Sequence, residues 1–239
     1  MYLNHTHKFI FIHVPKTGGI AVRAHLQQNG IENHGRALIK KFIDAPECNG
    51  NKNAAENRVL HLPATAVQQY YEVEFSNYNK FGVIRNPYDR FISAFYYRTL
   101  MFMSKEETQK TFGSYTIERT RNIIKKQFIP KYIDKQLRKQ LMFESSYIYS
   151  VTPQHVFLCD ENDKLIVNDI YYTEKLNDEI KAIVQKLKLN ISTEINAKNV
   201  GFKPNFDKKL LLDDEIKEKV YSFYKKDFEI FNFSKEYPV

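Results

Sequence analysis

Lys8-Phe9-Ile10-Phe11-Ile12-His13-Val14-Pro15-Lys16-Thr17-Gly18-Gly19 stands near the amino terminus of a chain of 239 residues. The apolar, β-favouring run stops at a proline, offers a lysine, a threonine and two glycines, and gives way to helix-compatible sequence. Strand, glycine-bearing turn and helix in that order aim backbone N–H groups and the positive end of a helix dipole at one point. Such a point attracts a phosphate or a sulfate. Gly18 and Gly19 let the backbone approach an anion closely, and Lys16 adds a mobile positive charge. A tight βα connection with a surface lysine accounts for the same residues without a ligand. The stretch is not the P-loop of nucleoside triphosphatases, in which a lysine and a hydroxyl residue follow the second glycine. Here Lys16 precedes the glycines, and Ile20 and Ala21 follow them.

A second stretch answers the first. Lys80-Phe81-Gly82-Val83-Ile84-Arg85 reads as a buried strand, and Asn86-Pro87-Tyr88-Asp89-Arg90 reads as a helix start. Asn86 suits the N-cap, Pro87 the first helical position, and Asp89 the first turn, where a carboxylate complements the dipole. Phe91, Ala94, Phe95, Arg98 and Phe102 follow at helical spacing. Arg85 therefore ends a hydrophobic strand, the edge at which ligands gather in open α/β sheets. Ser93 lies about two turns into the helix. An Arg85–carboxylate pair and a Ser93 that only fills a helix contact remain the alternative.

Together the two stretches resemble the signature segments of the carbohydrate sulfotransferases that use 3′-phosphoadenosine 5′-phosphosulfate (PAPS). The branch most similar contains the heparan sulfate and dermatan uronyl 2-O-sulfotransferases and many bacterial proteins. The resemblance implies a P-loop-like three-layer α/β fold with a central parallel sheet flanked by helices. It also implies that Pro15, Lys16, Thr17, Gly18, Gly19, Ile20 and Ala21 wrap the 5′-phosphosulfate, while Arg85 and Ser93 hold the 3′-phosphate. Relatives carry basic residues before the last helix, which adds Lys198 and Lys203 to the expected nucleotide contacts. They usually have Thr and Ser where this chain has Ile20 and Ala21, so Thr17 and backbone N–H groups carry more of the binding here. Weaker similarity extends over Gln154–Glu174, read as a hairpin from Val156 through Asp160–Asp163 to Tyr172, and over Tyr221–Phe231 near the carboxy terminus.

Composition fits one enzyme domain spanning 1–239, ample for a sizeable core. No apolar run approaches the roughly 18 to 20 residues that span a bilayer. The turn lies so near the start that no signal peptide or membrane stem is expected ahead of it, which leads to a bacterial cytoplasmic location. Cys48 and Cys159 are too few and too separated for a zinc site or a disulfide framework. The net charge is +8. Residues 115–145 hold Arg119, Arg121, Lys125, Lys126, Lys131, Lys135, Arg138 and Lys139 against only Glu118, Asp134 and Glu144. Tyr115, Phe128, Tyr132, Phe143, Tyr147 and Tyr149 punctuate this run, so an acidic polysaccharide acceptor docking along it is one reading; a solvated helix face is the other.

Strands are expected near 8–14, 58–61 and 80–85, each leading into a helix. Helices are expected over 18–28, 63–71, 87–103, 115–127, 131–143, 175–188 and 213–228, with loops at 29–57 and 190–212. Sulfuryl transfer to a hydroxyl needs a base for the acceptor proton, and neutral imidazole suits that. Of the histidines, His5 and His7 fall in a terminus read as frayed, and His13 falls inside a strand. His61 is the expected base: Arg58-Val59-Leu60-His61 reads as a strand end at the edge shared with Lys16 and Arg85, and the uronyl 2-O-sulfotransferases have a comparable histidine. Glu72 and Glu74 are the reserves. Lys16 would neutralise charge on the departing phosphate. PAPS is the expected co-substrate and no metal is needed. A nucleotide kinase would need magnesium ligands that the motifs lack. A non-catalytic nucleotide- or nucleic-acid-binding protein would give His61 no purpose, and no nucleic-acid motif is present. Oligomeric state stays open.

Overall fold

A computed structural model describes residues 1–46, 48–134, 149–195 and 206–237. In chain order the regular elements are β1 (Tyr2–Asn4), β2 (Phe9–Ile12), α1 (Gly19–Gln28), α2 (Leu38–Ile43), α3 (Lys52–Leu60), α4 (Ala64–Tyr70), α5 (Glu72–Asn77) and β3 (Asn79–Ile84). Then come α6 (Pro87–Leu100), α7 (Ile117–Ile123), α8 (His155–Leu158), β4 (Asp169–Tyr172), α9 (Leu176–Lys186) and α10 (Asp214–Ile230). The chain divides into two compact units, Met1–Arg85 with Gln154–Lys198, and Asn86–Pro153 with Asn199–Val239.

The first unit carries the sheet, in the order β1-β2-β3-β4. β2, β3 and β4 run parallel, and β1 pairs antiparallel with β2. Alternation along the strands sends Phe9, Phe11, Phe81, Val83 and Tyr171 to one face, where they pack with Val22 and Leu26 of α1 and Ile180, Ile183 and Val184 of α9. Phe11 and Phe81 stack at 5.0 Å between centroids, and Tyr171 meets Phe81 edge-on at 5.7 Å. The opposite face includes Gly82, where a Cβ would come within 2.5 Å of Leu158 of α8, so the missing side chain seats that helix. Helices on both faces of a mainly parallel sheet make the three-layer α/β fold that the sequence leads one to expect.

The second unit is helical. Its core joins Phe91, Phe95 and Tyr88 of α6 to Ile124 and Phe128, and to Ile216, Val220 and Phe228 of α10. The 115–127 helix is present as α7 running into a π-helical turn over Ile124–Phe128, with a second such turn over Pro130–Asp134. Arg90 of α6 is fully buried; its guanidinium donates to Thr152 O at 2.7 Å and lies 5.8 Å from the Tyr224 ring.

Several local expectations are overturned. The stretch 58–60 is helix, not strand, with His61 as its C-cap: Asn51 caps α3 by accepting from Ala54 N at 3.1 Å, and Ala55 and Val59, four apart, are its buried positions. Val59-Leu60 mimics a strand because two apolar residues carry no period. The 29–57 loop in fact holds α2, α3 and a short 3₁₀ turn at His34–Ala37. The terminus is not frayed but supplies β1, with Met1, Tyr2 and Leu3 in the core. The 156–172 hairpin reduces to one antiparallel bridge, Cys159 with Leu165, around the Asp160 turn; β4 pairs parallel with β3 instead. Segments 101–103 and 135–143 of two expected helices, and 196–205 of an expected loop, lie outside the described residues.

Asn51→Ala should cost about 1 kcal/mol, the usual worth of an N-cap, read as a lower midpoint in urea unfolding with an unchanged slope. An unchanged midpoint would mean that packing alone holds α3.

Candidate functional site

β2 ends at Ile12, and the chain reaches α1 through His13–Gly18. Lys16 (φ 68°) and Gly18 (φ 81°) are both left-handed. Two such residues in close succession give the concave backbone found around bound anions, and a left-handed lysine carries a cost of about 1–2 kcal/mol. Thr17 is fully buried, and its hydroxyl donates to Val14 O at 2.9 Å, closing the turn from within. Thr173 Oγ1, at the end of β4, lies 2.6 Å from Thr17 O and 2.8 Å from Ile84 O, so its one proton ties either the turn or the end of β3. The ten-residue α1 begins with no side-chain cap and no acidic residue in its first turn. Its positive end is thus left for another partner. Ile20 is exposed there and Ala21 half-buried.

His13 and His61 form the other wall. A Cβ at Gly19 would sit 2.1 Å from His13 Cδ2, so the imidazole lies directly on the bare Cα of Gly19. The His61 ring packs on His13 at 4.7 Å, and His61 Nδ1 lies 3.2 Å from His13 O. A carbonyl only accepts, so Nδ1 carries the proton, and in the neutral ring Nε2 bears the lone pair. That is the tautomer a general base needs. His61 is half-buried at the C-cap of α3. Burial, then the neighbouring His61, the amino terminus, Arg23 and Lys16, push the pKa of His13 well below the ordinary histidine range, so His13 stays neutral. The other buried histidine, His25, is tied to Ser192 O at 2.9 Å.

Arg85 leaves β3 with its backbone gripped by fully buried Gln154. Arg85 N donates to Gln154 Oε1 at 2.9 Å, and Gln154 Nε2 donates to Arg85 O at 2.8 Å. The guanidinium itself has no ion pair or hydrogen bond among the described residues. In the second unit Asn86 caps α6 by accepting from Tyr88 N at 2.9 Å, and Ser93 is half-buried on that helix. Glu72 and Glu74 occupy the first turn of α5. Lys198 and Lys203 lie outside the described residues. The first unit therefore brings together the Pro15–Ala21 turn and His61. The participation of His13 and Gln154 was not read from the sequence. The position of His13 beside the turn was the available signal for it; Gln154 offered none.

The family model described as the sulfotransferase family matches residues 1–234. The chain belongs to the sulfotransferase family. No curated protein and no solved structure matches it. Sulfuryl transfer is therefore the reaction class of this sulfotransferase. No described helix is long and apolar enough to cross a membrane.

Gly19→Ala in this sulfotransferase should lower the melting temperature, although alanine in a helix is normally favoured by about 1 kcal/mol, because the new methyl displaces His13. In a His13→Ala background the same change should lose its penalty, a coupling that a double-mutant cycle measures. Additive effects would show that the two do not touch. A pH series tests the buried imidazole. The unfolded chain protonates His13 near pH 6.5, whereas the folded chain resists. Stability present above that pH should fall by about 1.4 kcal/mol per unit as the solution is acidified, and His13→Asn should flatten the decline.

Proposed function

We propose that this sulfotransferase moves the sulfuryl group of PAPS to a hydroxyl of a carbohydrate acceptor, an acidic polysaccharide, with His61 as general base and Lys16 at the leaving phosphate. The observation that carries the reading is the orientation of His61. Its Nδ1 proton is held by His13 O beside the anion-shaped turn, so the lone pair of the neutral ring lies on Nε2. PAPS supplies an activated sulfur with a good leaving group. His61 Nε2 takes the acceptor hydroxyl proton as that oxygen bonds to sulfur and the bond from sulfur to the phosphate oxygen breaks. Lys16 and the amino end of α1 meet the negative charge that grows on the departing phosphate. Pro15, Thr17, Gly18, Gly19, Ile20 and Ala21 shape that cradle, Thr17 through its backbone because its hydroxyl is spent on Val14 O. Arg85, with its guanidinium unclaimed among the described residues, and Ser93 take the 3′-phosphate, joined by Lys198 and Lys203. No step calls for a metal. The uronyl 2-O-sulfotransferase branch remains the model for this division of labour, and a bacterial cytoplasm the proposed setting.

Adenosine 3′,5′-bisphosphate should raise the melting temperature without magnesium, and Arg85→Ala should weaken that effect. His61→Ala should lower turnover by about 10² to 10⁴ with bisphosphate affinity nearly intact. Stabilisation by ATP with magnesium but not by the bisphosphate would point to a kinase, and an active His61→Ala would move the role to Glu72 or Glu74. Ile20→Thr should tighten bisphosphate binding several-fold by adding a hydroxyl at the exposed first turn of α1, a gain of about 1 kcal/mol.

A further inference from the structure

A cleft of about 590 Å³ opens wholly within the sheet-bearing unit, lined in part by the last two residues of α3. This is the size of a small-molecule site. One wall is α1, through Arg23 and Gln27; the other is the α2–α3 region, through Ile39, Asn53 and Asn57. Val59 and Leu60, the residues just before His61, line its inner end. Arg23 also acts electrostatically on His13, the ring on which His61 rests. The cleft therefore runs along the helix that His61 closes.

Its chemistry is distinctive. Two guanidiniums, Arg23 and Arg36, face it against a single carboxylate, Glu56. Glu56 is engaged with exposed Arg36 at 3.7 Å, a surface pair worth little and easily exchanged. Arg23 is half-buried, has no ion pair among the described residues, and holds a buried Nε without a hydrogen-bond partner. Burial pulls its pKa below the ordinary arginine value, with Arg36 adding to the fall and Tyr2 and Glu56 opposing it. An anion in the cleft would relieve both effects, because a guanidinium offers paired donors to a carboxylate or sulfate. The side-chain amides of Gln27, Asn53 and Asn57 both donate and accept, as hydroxyls require. A wall so polar suits a sugar and not an apolar alcohol.

In the described part of the second unit's basic run, two of the cations are already engaged. Lys125 bonds Asp213 and Glu215 at 2.8 and 2.6 Å, and the Arg121 guanidinium donates to Leu210 O. Part of that charge is consumed in holding α7 to the segment before α10.

We infer that the Arg23–Arg36 cleft is the acceptor site, that it seats the carboxylate or sulfate of an acidic sugar, and that it thereby presents a neighbouring hydroxyl to His61. The inference rests on the sulfuryl-transfer reading, and its test separates the two. A hyaluronan tetrasaccharide, which carries glucuronate, and neutral cellotetraose are titrated calorimetrically into the full chain with saturating adenosine 3′,5′-bisphosphate. The acidic sugar should bind and the neutral one should bind at least tenfold more weakly. Arg23→Gln, and separately Arg36→Ala at an exposed position that folding tolerates, should each weaken the acidic sugar by about 10- to 100-fold without changing bisphosphate affinity. With PAPS the same losses should appear in acceptor KM and not in kcat. Failure of the wild-type chain to bind the acidic sugar, equal binding of both sugars, or undiminished binding by the variants would overturn the inference. If bisphosphate binding persists in that event, the donor reading stands; its absence from the wild-type chain would sink the donor reading instead.

Discussion

The contact between the His13 imidazole and the bare Cα of Gly19 sets the geometry on which the rest of the site depends. It joins the end of β2 to the first residue of α1, leaving only a tight left-handed path for the residues between. It also fixes the surface on which His61 lies and the carbonyl that holds the His61 proton. A flat ring against a glycine is a dispersion contact, weak atom by atom but intolerant of one added methyl. Orientation of His61 is thus obtained from close packing together with its hydrogen bond to His13 O.

The parallel strands β2 and β3 and their following helices were legible because each combines a continuous apolar run with a punctuating Pro, Gly or Asn. Phe9–Ile12 and Asn79–Ile84 are buried on both faces and read directly as such. β1 was hidden: Tyr2–Asn4 is three residues long and is held by pairing with β2 and by contacts to the 31–33 segment, which no local pattern announces. α3 was mistaken for a strand at its end because two buried positions, Ala55 and Val59, leave too faint a period.

The site shows the same division. The backbone chemistry of Pro15–Gly19 is local, so sequence displayed it. The grip of Gln154 on Arg85 spans 69 residues, and the His61–His13 bond spans 48. Both depend on strands arriving side by side, a property of topology. The overall charge of +8 says little by itself, since a charge's meaning depends on whether a carboxylate has already met it. Lys125 is met twice, and Arg85 is not met at all among the described residues.

Gly19 has a consequence for descent. Because His13 forbids a side chain there, the glycine is retained by packing whether or not the turn ever meets an anion. A lineage that lost its chemistry would keep Gly19 long afterwards, since folding alone would purge the alternatives. His61, half-buried at a helix end, is under no comparable structural obligation. Across descendants the glycine marks the architecture.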